Sequence, residues 1–281
     1  MNGRGGVRGA IARYRGRDIE LKSPAQLEAM RAAGALVAAT LAAVTEHAKP
    51  GVSTAELDAV AEQTIRDADA VPSFLGYHGF PASICASVNE QIVHGIPSPS
   101  QVLADGDLLS VDCGAILEGW HGDSAVTIAV GDVAPADRAL SAACRGALDA
   151  GLLAVTAGAK LTDVSYAIQE ACAAAARADG ADYGIVAEYG GHGIGTSMHM
   201  DPFLPNHGDP GHGPKLRPGM ALAVEPMLVA GVPETVELDD GWTVVTASGG
   251  RAVHWEHTVA VTEDGPWLLT APAGAPDRPA R

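Results

Sequence analysis

The sequence predicts a mixed α/β fold of the α+β kind, built from two related halves that share one antiparallel sheet. Three observations carry that expectation. Two pairs of helix signals are each followed by strand signals, so the order helix, helix, strands occurs twice. The second helices of the two pairs align at an offset of 108 residues, Thr54 with Thr162, Val60 with Ile168 and Glu62 with Glu170. The strand segments are rich in Val, Ile, Leu and Thr and are bounded by turn residues.

Ser23-Pro24-Ala25-Gln26 is a helix start, with Ser at the N-cap, Pro in the first turn and Gln at the capping-box position. That helix should run to about His47, where Lys49-Pro50-Gly51 stops it. Ser53-Thr54-Ala55-Glu56 opens a second helix with Leu57, Val60, Thr64 and Ile65 on one face. Strands are expected over residues 83–93 and on both sides of the turn in LLSVDCGAILEGWHGDSAVTIAV. In the second half a helix begins near Pro135 and ends around Gly158. Thr162-Asp163 opens another, carrying Val164, Ile168 and Cys172 to Gly180. Strands should follow over residues 220–229, 242–247 and 252–261.

At 281 residues the chain can bury a substantial core, and with only 4% aromatic residues that core must be mostly aliphatic. No stretch reaches the roughly 20 apolar residues of a membrane span, and no apolar segment follows the N-terminal arginines as in a secretory signal. Cys85, Cys113, Cys144 and Cys172 are scattered without a CxxC pair. They fit buried small residues in a reducing cytoplasm better than disulfides or a zinc knuckle. The net charge of -16 argues against nucleic acid as a principal partner and suits a cationic ligand, such as the ammonium group of a peptide N-terminus. Residues 1–22 are set apart as an Arg/Gly-rich tail holding Arg4, Arg8, Arg13, Arg15 and Arg17. Two readings stand for it: a disordered tail, or a weak contact with anionic ribosomal RNA. Residues 271–281 read as a frayed end.

The chemistry begins at Asp112 and Asp123. A hairpin folded about Leu117 and Glu118 would set residue 112 directly opposite residue 123. Facing residues hold their Cβ atoms about 4.5–5.5 Å apart, and like charges there repel. Either one carboxyl keeps a proton or a metal ion sits between them. His192 lies in GGHGIG, where glycines let the backbone approach a ligand or another strand. Glu225 lies in MALAVEPMLV and Glu256 in AVHWEHTVAV, apolar runs in which an unpaired carboxylate is costly. Each alone could be a satisfied core polar group. Together they make four carboxylates and one imidazole in apolar strands. Two divalent ions would neutralise four carboxylates, and an oxygen-rich site with one imidazole favours Mn²⁺, Fe²⁺, Co²⁺ or Zn²⁺. Two ions some 3.5–4 Å apart can share a hydroxide nucleophile and polarise a carbonyl, which is hydrolytic chemistry. HExxH is absent, as is a convincing serine nucleophile motif.

VDCGAILEGWHGD, GGHGIGTSMH, LAVEPM and WEHT, in this order, resemble the metal-binding signature of the bacterial type I methionine aminopeptidases. CASVNEQIVHGIP and LGYHGFP match the same family, so the likeness covers roughly residues 19–265. The resemblance implies the pita-bread fold, two pseudo-symmetric halves around an antiparallel sheet, with a catalytic domain over residues 23–270. It implies metal ligation by Asp112 on one ion, His192 and Glu225 on the other, and Asp123 and Glu256 bridging. The two ions could be Co, Mn, Fe, Zn or Ni. It further implies that His94 contacts substrate, that His199 stabilises the tetrahedral intermediate, and that Glu225 shuttles the proton. Tyr77, Phe80, Cys85 and Trp242, with Phe74, should form the methionine pocket. Met198, Met200 and Phe80 depart from the family pattern and bear on pocket shape. His207 and His212 in HGDPGH read as surface loop. The expected activity is removal of N-terminal methionine from nascent chains with a small second residue, by a cytoplasmic enzyme that, like most of the family, is a monomer. The competitors are a proline-specific peptidase of the same fold, whose usual extra N-terminal domain is not evident here, and a binding protein that lost catalysis, which should lack a ligand.

Overall fold

Helix α1 (Pro24–His47) begins where the Ser23 side chain accepts from the Gln26 amide and the Gln26 side chain accepts from the Ser23 N–H at 2.8 Å. The capping box read from the sequence therefore forms, and α2 (Thr54–Asp67) repeats it between Ser53 and Glu56. The structure, a computed structural model, describes residues 19–279. The first half is completed by β1 (Val71–Pro72), β2 (Ile84–Val88), β3 (Gln91–Val93), β4 (Leu108–Leu117) and β5 (Trp120–Ala129). The second half opens with α3 (Pro135–Ala154) and α4 (Leu161–Asp179), followed by β6 (Tyr183–Ile185), β7 (Gly190–Gly193) and β8 (Met200–Pro205). It continues through β9 (Ala221–Val224), β10 (Met227–Ala230), β11 (Thr235–Glu237), β12 (Val244–Thr246), β13 (Ala252–His254), β14 (His257–Thr262) and β15 (Gly265–Leu268). The ladders among these described strands are antiparallel.

Each helix pair closes its own core. Leu41, Leu57 and Ile65 of the first pair pack with Ile84, Leu109 and Val111, while Leu148, Leu152 and Ile168 of the second pack with Leu222, Val224 and Val259. Burying each such side chain fully is worth about 1.5–3 kcal/mol. The order helix, helix, strands read from the sequence thus recurs in the fold, and its described strands hydrogen-bond in four antiparallel sheets of four, three, three and five strands. The halves are stitched along β5 and β14. The Thr258 hydroxyl donates to Asp123 O at 2.7 Å, Ser124 Oγ donates to Glu256 O at 2.6 Å, and Glu256 N–H donates to Ala125 O at 3.0 Å.

Several expectations are corrected. At 24 residues α1 is long and apolar enough to cross a membrane, contrary to the reading that no stretch reaches that length. Half of its apolar window is buried inside the protein, so it serves as a core helix. Its apolar content is largely Ala and Gly, which lets it sit close: a Cβ on Gly34 would lie 2.1 Å from Leu269 O. The strand expected over 220–229 is two strands, split at Glu225-Pro226, since Pro226 has no N–H to give a ladder. The strand expected over 252–261 splits at Trp255-Glu256. Helix α3 ends at Ala154, and α4 starts at Leu161, with Asp163 accepting from Lys160 N–H at 2.7 Å.

The termini also differ. The tail boundary after residue 22 falls in an anchored segment: Lys22 is buried and its N–H donates to Gly219 O at 2.8 Å. The arginines at 4, 8, 13, 15 and 17 lie outside the described residues. Residues 271–279, expected to fray, fold back on β15, with Leu268 N–H donating to Asp277 O at 2.7 Å and Trp267 Nε1–H to Asp277 Oδ2 at 3.1 Å. The four cysteines are free and buried, and His207 and His212 are exposed in their loop.

Candidate metal centre and active site

The β4–β5 hairpin turns at Glu118-Gly119, whose φ values of 51° and 84° are the pair a two-residue type I′ turn needs. That turn sits one residue later than the sequence suggested, and the register moves with it. Asp112 pairs with Ala125 and Gly114 with Asp123, so the two aspartates are diagonal neighbours and not directly opposed. A shift of two in the pairing keeps both on one face of the ladder. The missed signal is the Glu-Gly pair, because Gly favours the positive φ of the second turn position.

His192 lies on β7, between β8 and β9. Its flanking glycines allow that position, since a Cβ on Gly191 would be 2.3 Å from Ala223 O and one on Gly193 2.1 Å from Asp201 O. His192 Nδ1 lies 3.0 Å from Gly193 O, so Nδ1 donates and Nε2 is left as a lone-pair ligand. Glu225 and Glu256 sit in the two strand breaks, where the chain leaves the ladder and the side chain can turn inward. His192 Nε2 is 3.8 Å from Asp123 Oδ2 and 3.5 Å from Glu225 Oε1. Asp123, His192 and Glu256 each bring a ligand atom to within 4.8 Å of the others.

This cluster is electrostatically frustrated. Burial pushes Asp112 up to about 7. Asp123, Glu225 and Glu256 are raised well above the ordinary carboxylate range, by burial first and then by neighbouring negative charge: that of Asp112 on Asp123 and Glu225, and that of Asp123 and Asp112 on Glu256. Burial, then the charge of His199, pulls His192 down to about 3, which keeps its imidazole neutral. Oδ1 of Asp112, Oδ1 of Asp123 and Oε1 of Glu256 are buried without a hydrogen-bond partner. Buried acceptors of this kind are expensive unless something cationic satisfies them. The donor set, carboxylate oxygens with one imidazole nitrogen, fits a divalent ion.

The five residues line one cavity of about 190 Å³ together with His94, His199, Tyr77, Phe80, Cys85, Trp242 and Phe74. All the residues singled out from the sequence for the centre and the pocket are therefore brought to one place. Phe74, Phe80, Cys85 and Met198 form a small buried cluster with Tyr77 and Trp242 against it, and the Phe80 and Trp242 rings meet edge to face at 5.1 Å. His94 has φ of 59°, uncommon for a non-glycine residue, and its ring meets that of Tyr189 edge to face at 5.6 Å. The Tyr77 hydroxyl lies 2.9 Å from His199 Nδ1. Tyr189, Gly190 and Met227 also line the cavity, and His254 touches Glu225. Sequence reasoning missed these; the only signal was their closeness to GGHG, Glu225 and Glu256. Met200 stands outside the cavity, in an open cleft with Asp201 and Glu188.

A mixed antiparallel fold of two like halves, with four carboxylates and an imidazole converging on one cavity, defines a metallohydrolase of the pita-bread type. Metallopeptidase family M24 matches residues 28–263, and methionine aminopeptidase 1 of Mycobacterium tuberculosis is 59% identical over 92% of this chain and 98% of its own length. The chain belongs to metallopeptidase family M24, and within it groups with the type I methionine aminopeptidases. Methionine aminopeptidase 1 of Bacillus subtilis is 47% identical over 89% of this chain and 98% of its own. The crystal structure of methionine aminopeptidase from Rickettsia prowazekii superposes with a TM-score of 0.85 at 40% identity, covering 90% of this chain and all of that one. The Xaa-Pro dipeptidase of Bacillus anthracis, at 22% identity and a TM-score of 0.71, shares the fold; the match covers 92% of this chain and 63% of that one.

Proposed function

We propose that the protein hydrolyses the N-terminal methionine from peptides and nascent chains, preferring a small second residue. The observation that carries this is the set of unpartnered buried oxygens on Asp112, Asp123 and Glu256 around one cavity whose other wall is aromatic and sulfur-bearing. Such a wall suits a flexible thioether. Asp112 would hold one divalent ion, His192 and Glu225 the other, and Asp123 and Glu256 both. When bound, two such ions supply Lewis-acid polarisation of the scissile carbonyl and a water of lowered pKa. Mn, Co, Fe, Zn and Ni all fit that donor chemistry, with the choice set by availability.

The chain's own side chains do the rest. The acidic cluster attracts the peptide ammonium group, and Tyr77, Phe80, Cys85 and Trp242 hold the methionine side chain away from water. Glu225 takes the proton from the attacking water and carries it to the leaving amine, a task suited to a carboxyl whose proton affinity burial has raised. A Tyr77 O–H donating to His199 Nδ1 would leave the proton on Nε2, where it can donate to the oxyanion of the tetrahedral adduct. His94, at the cavity wall with Tyr189, contacts the substrate beside the scissile bond. On this reading the enzyme is a cytoplasmic monomer acting on emerging chains; the relatives' names support the action on N-terminal methionine, and the acidic charge suits a cationic peptide terminus. Cleavage of Met-Ala-Ser against Ala-Pro-Ala tests the assignment: the first should be cut and the second left intact. Cleavage of only the second would make the protein a proline-specific peptidase.

A further inference from the structure

The Glu225 carboxylate is bracketed by two imidazoles. Its Oε1 lies 3.5 Å from His192 Nε2, and its Oε2 lies 3.7 Å from Nε2 of His254. The two histidines differ in kind. His192 opens on the cavity beside Asp123 and Glu256. His254 does not line the cavity, is 2% exposed, and buries its Nε2 without a hydrogen-bond partner.

The backbone of His254 is fixed by both halves of the fold. Its N–H lies within reach of Ser110 Oγ at 3.1 Å and Thr127 Oγ1 at 3.0 Å, and its carbonyl accepts from Thr127 Oγ1 at 2.8 Å. Ser110 is two residues before Asp112 on β4, and Thr127 four residues after Asp123 on β5. Across the other ladder His254 pairs with Met227, two residues beyond Glu225. The imidazole therefore projects from a rigid platform that registers the aspartate-bearing hairpin against the strand break carrying Glu225. A buried imidazole nitrogen needs a partner, and the carboxylate it meets is Glu225. The remaining separation closes by rotation about the broad terminal torsion of the glutamate.

We propose that His254 is a positioning residue for Glu225, its Nε2–H holding Oε2 so that Oε1 stays beside His192. The inference rests on the metal-centre reading above. Outer partners of this kind orient ligating carboxylates, and losing one typically costs roughly 10–100-fold in metal affinity. The loss should be confined to the ion that Glu225 would hold, because the proposed function assigns the other ion to Asp112 and shares only Asp123 and Glu256 between the two.

The test is calorimetric titration of chelator-stripped protein with Mn²⁺, for wild type, His254→Gln, His254→Leu and His254→Asn. Gln can present an N–H at nearly the same reach; Leu has none and Asn is too short. One of the two ions should bind roughly 10–100-fold more weakly to the Leu and Asn variants, with the other unchanged and the Gln variant near wild type. Should the Leu variant fail to fold by circular dichroism, the Gln and Asn pair decides the question. Wild-type affinities in every variant would make His254 an ordinary core residue. Equal loss of one ion in all three would make it a direct ligand. Both results overturn the proposal. Met-Ala-Ser cleavage by wild type is scored separately: tight binding of two ions without cleavage would sink the proposed function and leave the role of His254 standing.

Discussion

The phenolic oxygen of Tyr77 lies 2.9 Å from Nδ1 of His199, joining two segments 122 residues apart across the mouth of the cavity. The sequence placed Tyr77 in the pocket wall; the structure adds its contact with His199, which on the proposed mechanism would fix the tautomer of that histidine. Tyr77→Phe keeps the ring and removes that bond. It should lower kcat about 5–10-fold, in line with the ~1 kcal/mol net worth of one hydrogen bond, while KM for a methionyl tripeptide changes little. A change confined to KM would show that the hydroxyl serves binding alone.

Metal-free protein should lose stability as pH rises above about 6.5. Asp112 is raised to about 7, and Asp123, Glu225 and Glu256 are raised well above their usual values. An acid raised on folding keeps its proton in the native state after the unfolded chain has lost it. Its contribution is therefore present at low pH and disappears as pH climbs through the folded value. His94, His192 and His254 are lowered to about 4, 3 and 3 and act in the opposite sense, but only below the unfolded histidine value of about 6.5. Above it the carboxylates act alone. Tm of chelator-stripped protein should fall from pH 6.5 to 8, and Mn²⁺ should restore more at pH 8, because ligation needs the deprotonated carboxylates. A flat Tm across that window would contradict this crowding of charge.

Asp123→Ala should abolish turnover and lower metal content. The effect on activity should exceed the roughly 10–100-fold typical of an outer partner. Bound metal measured by atomic emission, with a normal rate, would refute its bridging role.

The N-terminus offers a graded test. Removing residues 1–17 should leave tripeptide cleavage unchanged. Removing residues 1–22 takes away Lys22, whose backbone bonds to Gly219 and whose side chain lies against Gly195 in the loop that leads to His199. That deletion should lower Tm by several degrees, at about 2–4 °C per kcal/mol for a chain of this size. Equal Tm for the two proteins would show that the anchor contributes nothing.

Much of this was legible because local chemistry decided it. The capping boxes at Ser23 and Ser53 and the apolar context of Glu225 and Glu256 need only neighbouring residues to be read. The register of Asp112 and Asp123 was misread by two because it depends on which residues occupy a two-residue turn, and Glu118-Gly119 displaced the Leu117-Glu118 alternative. Hydrophobic periodicity could not reveal that Glu225 and Glu256 sit in strand breaks, since an apolar run reads the same with or without a kink. Nor could it find His254 against Glu225 or Tyr77 against His199, contacts that exist only once the halves close. Helix α1 was misjudged for another reason: its apolar length is made largely of small Ala residues interrupted by a few polar ones, and it packs against β5.

The most direct test strips the protein with a chelator and titrates Mn²⁺ back while following Met-Ala-Ser cleavage and bound metal together. The proposed two-ion centre predicts no cleavage by the stripped protein, recovery of activity on metal addition, and saturation at two ions per chain. Full activity without metal, or saturation of binding at two ions with no cleavage at all, would contradict it.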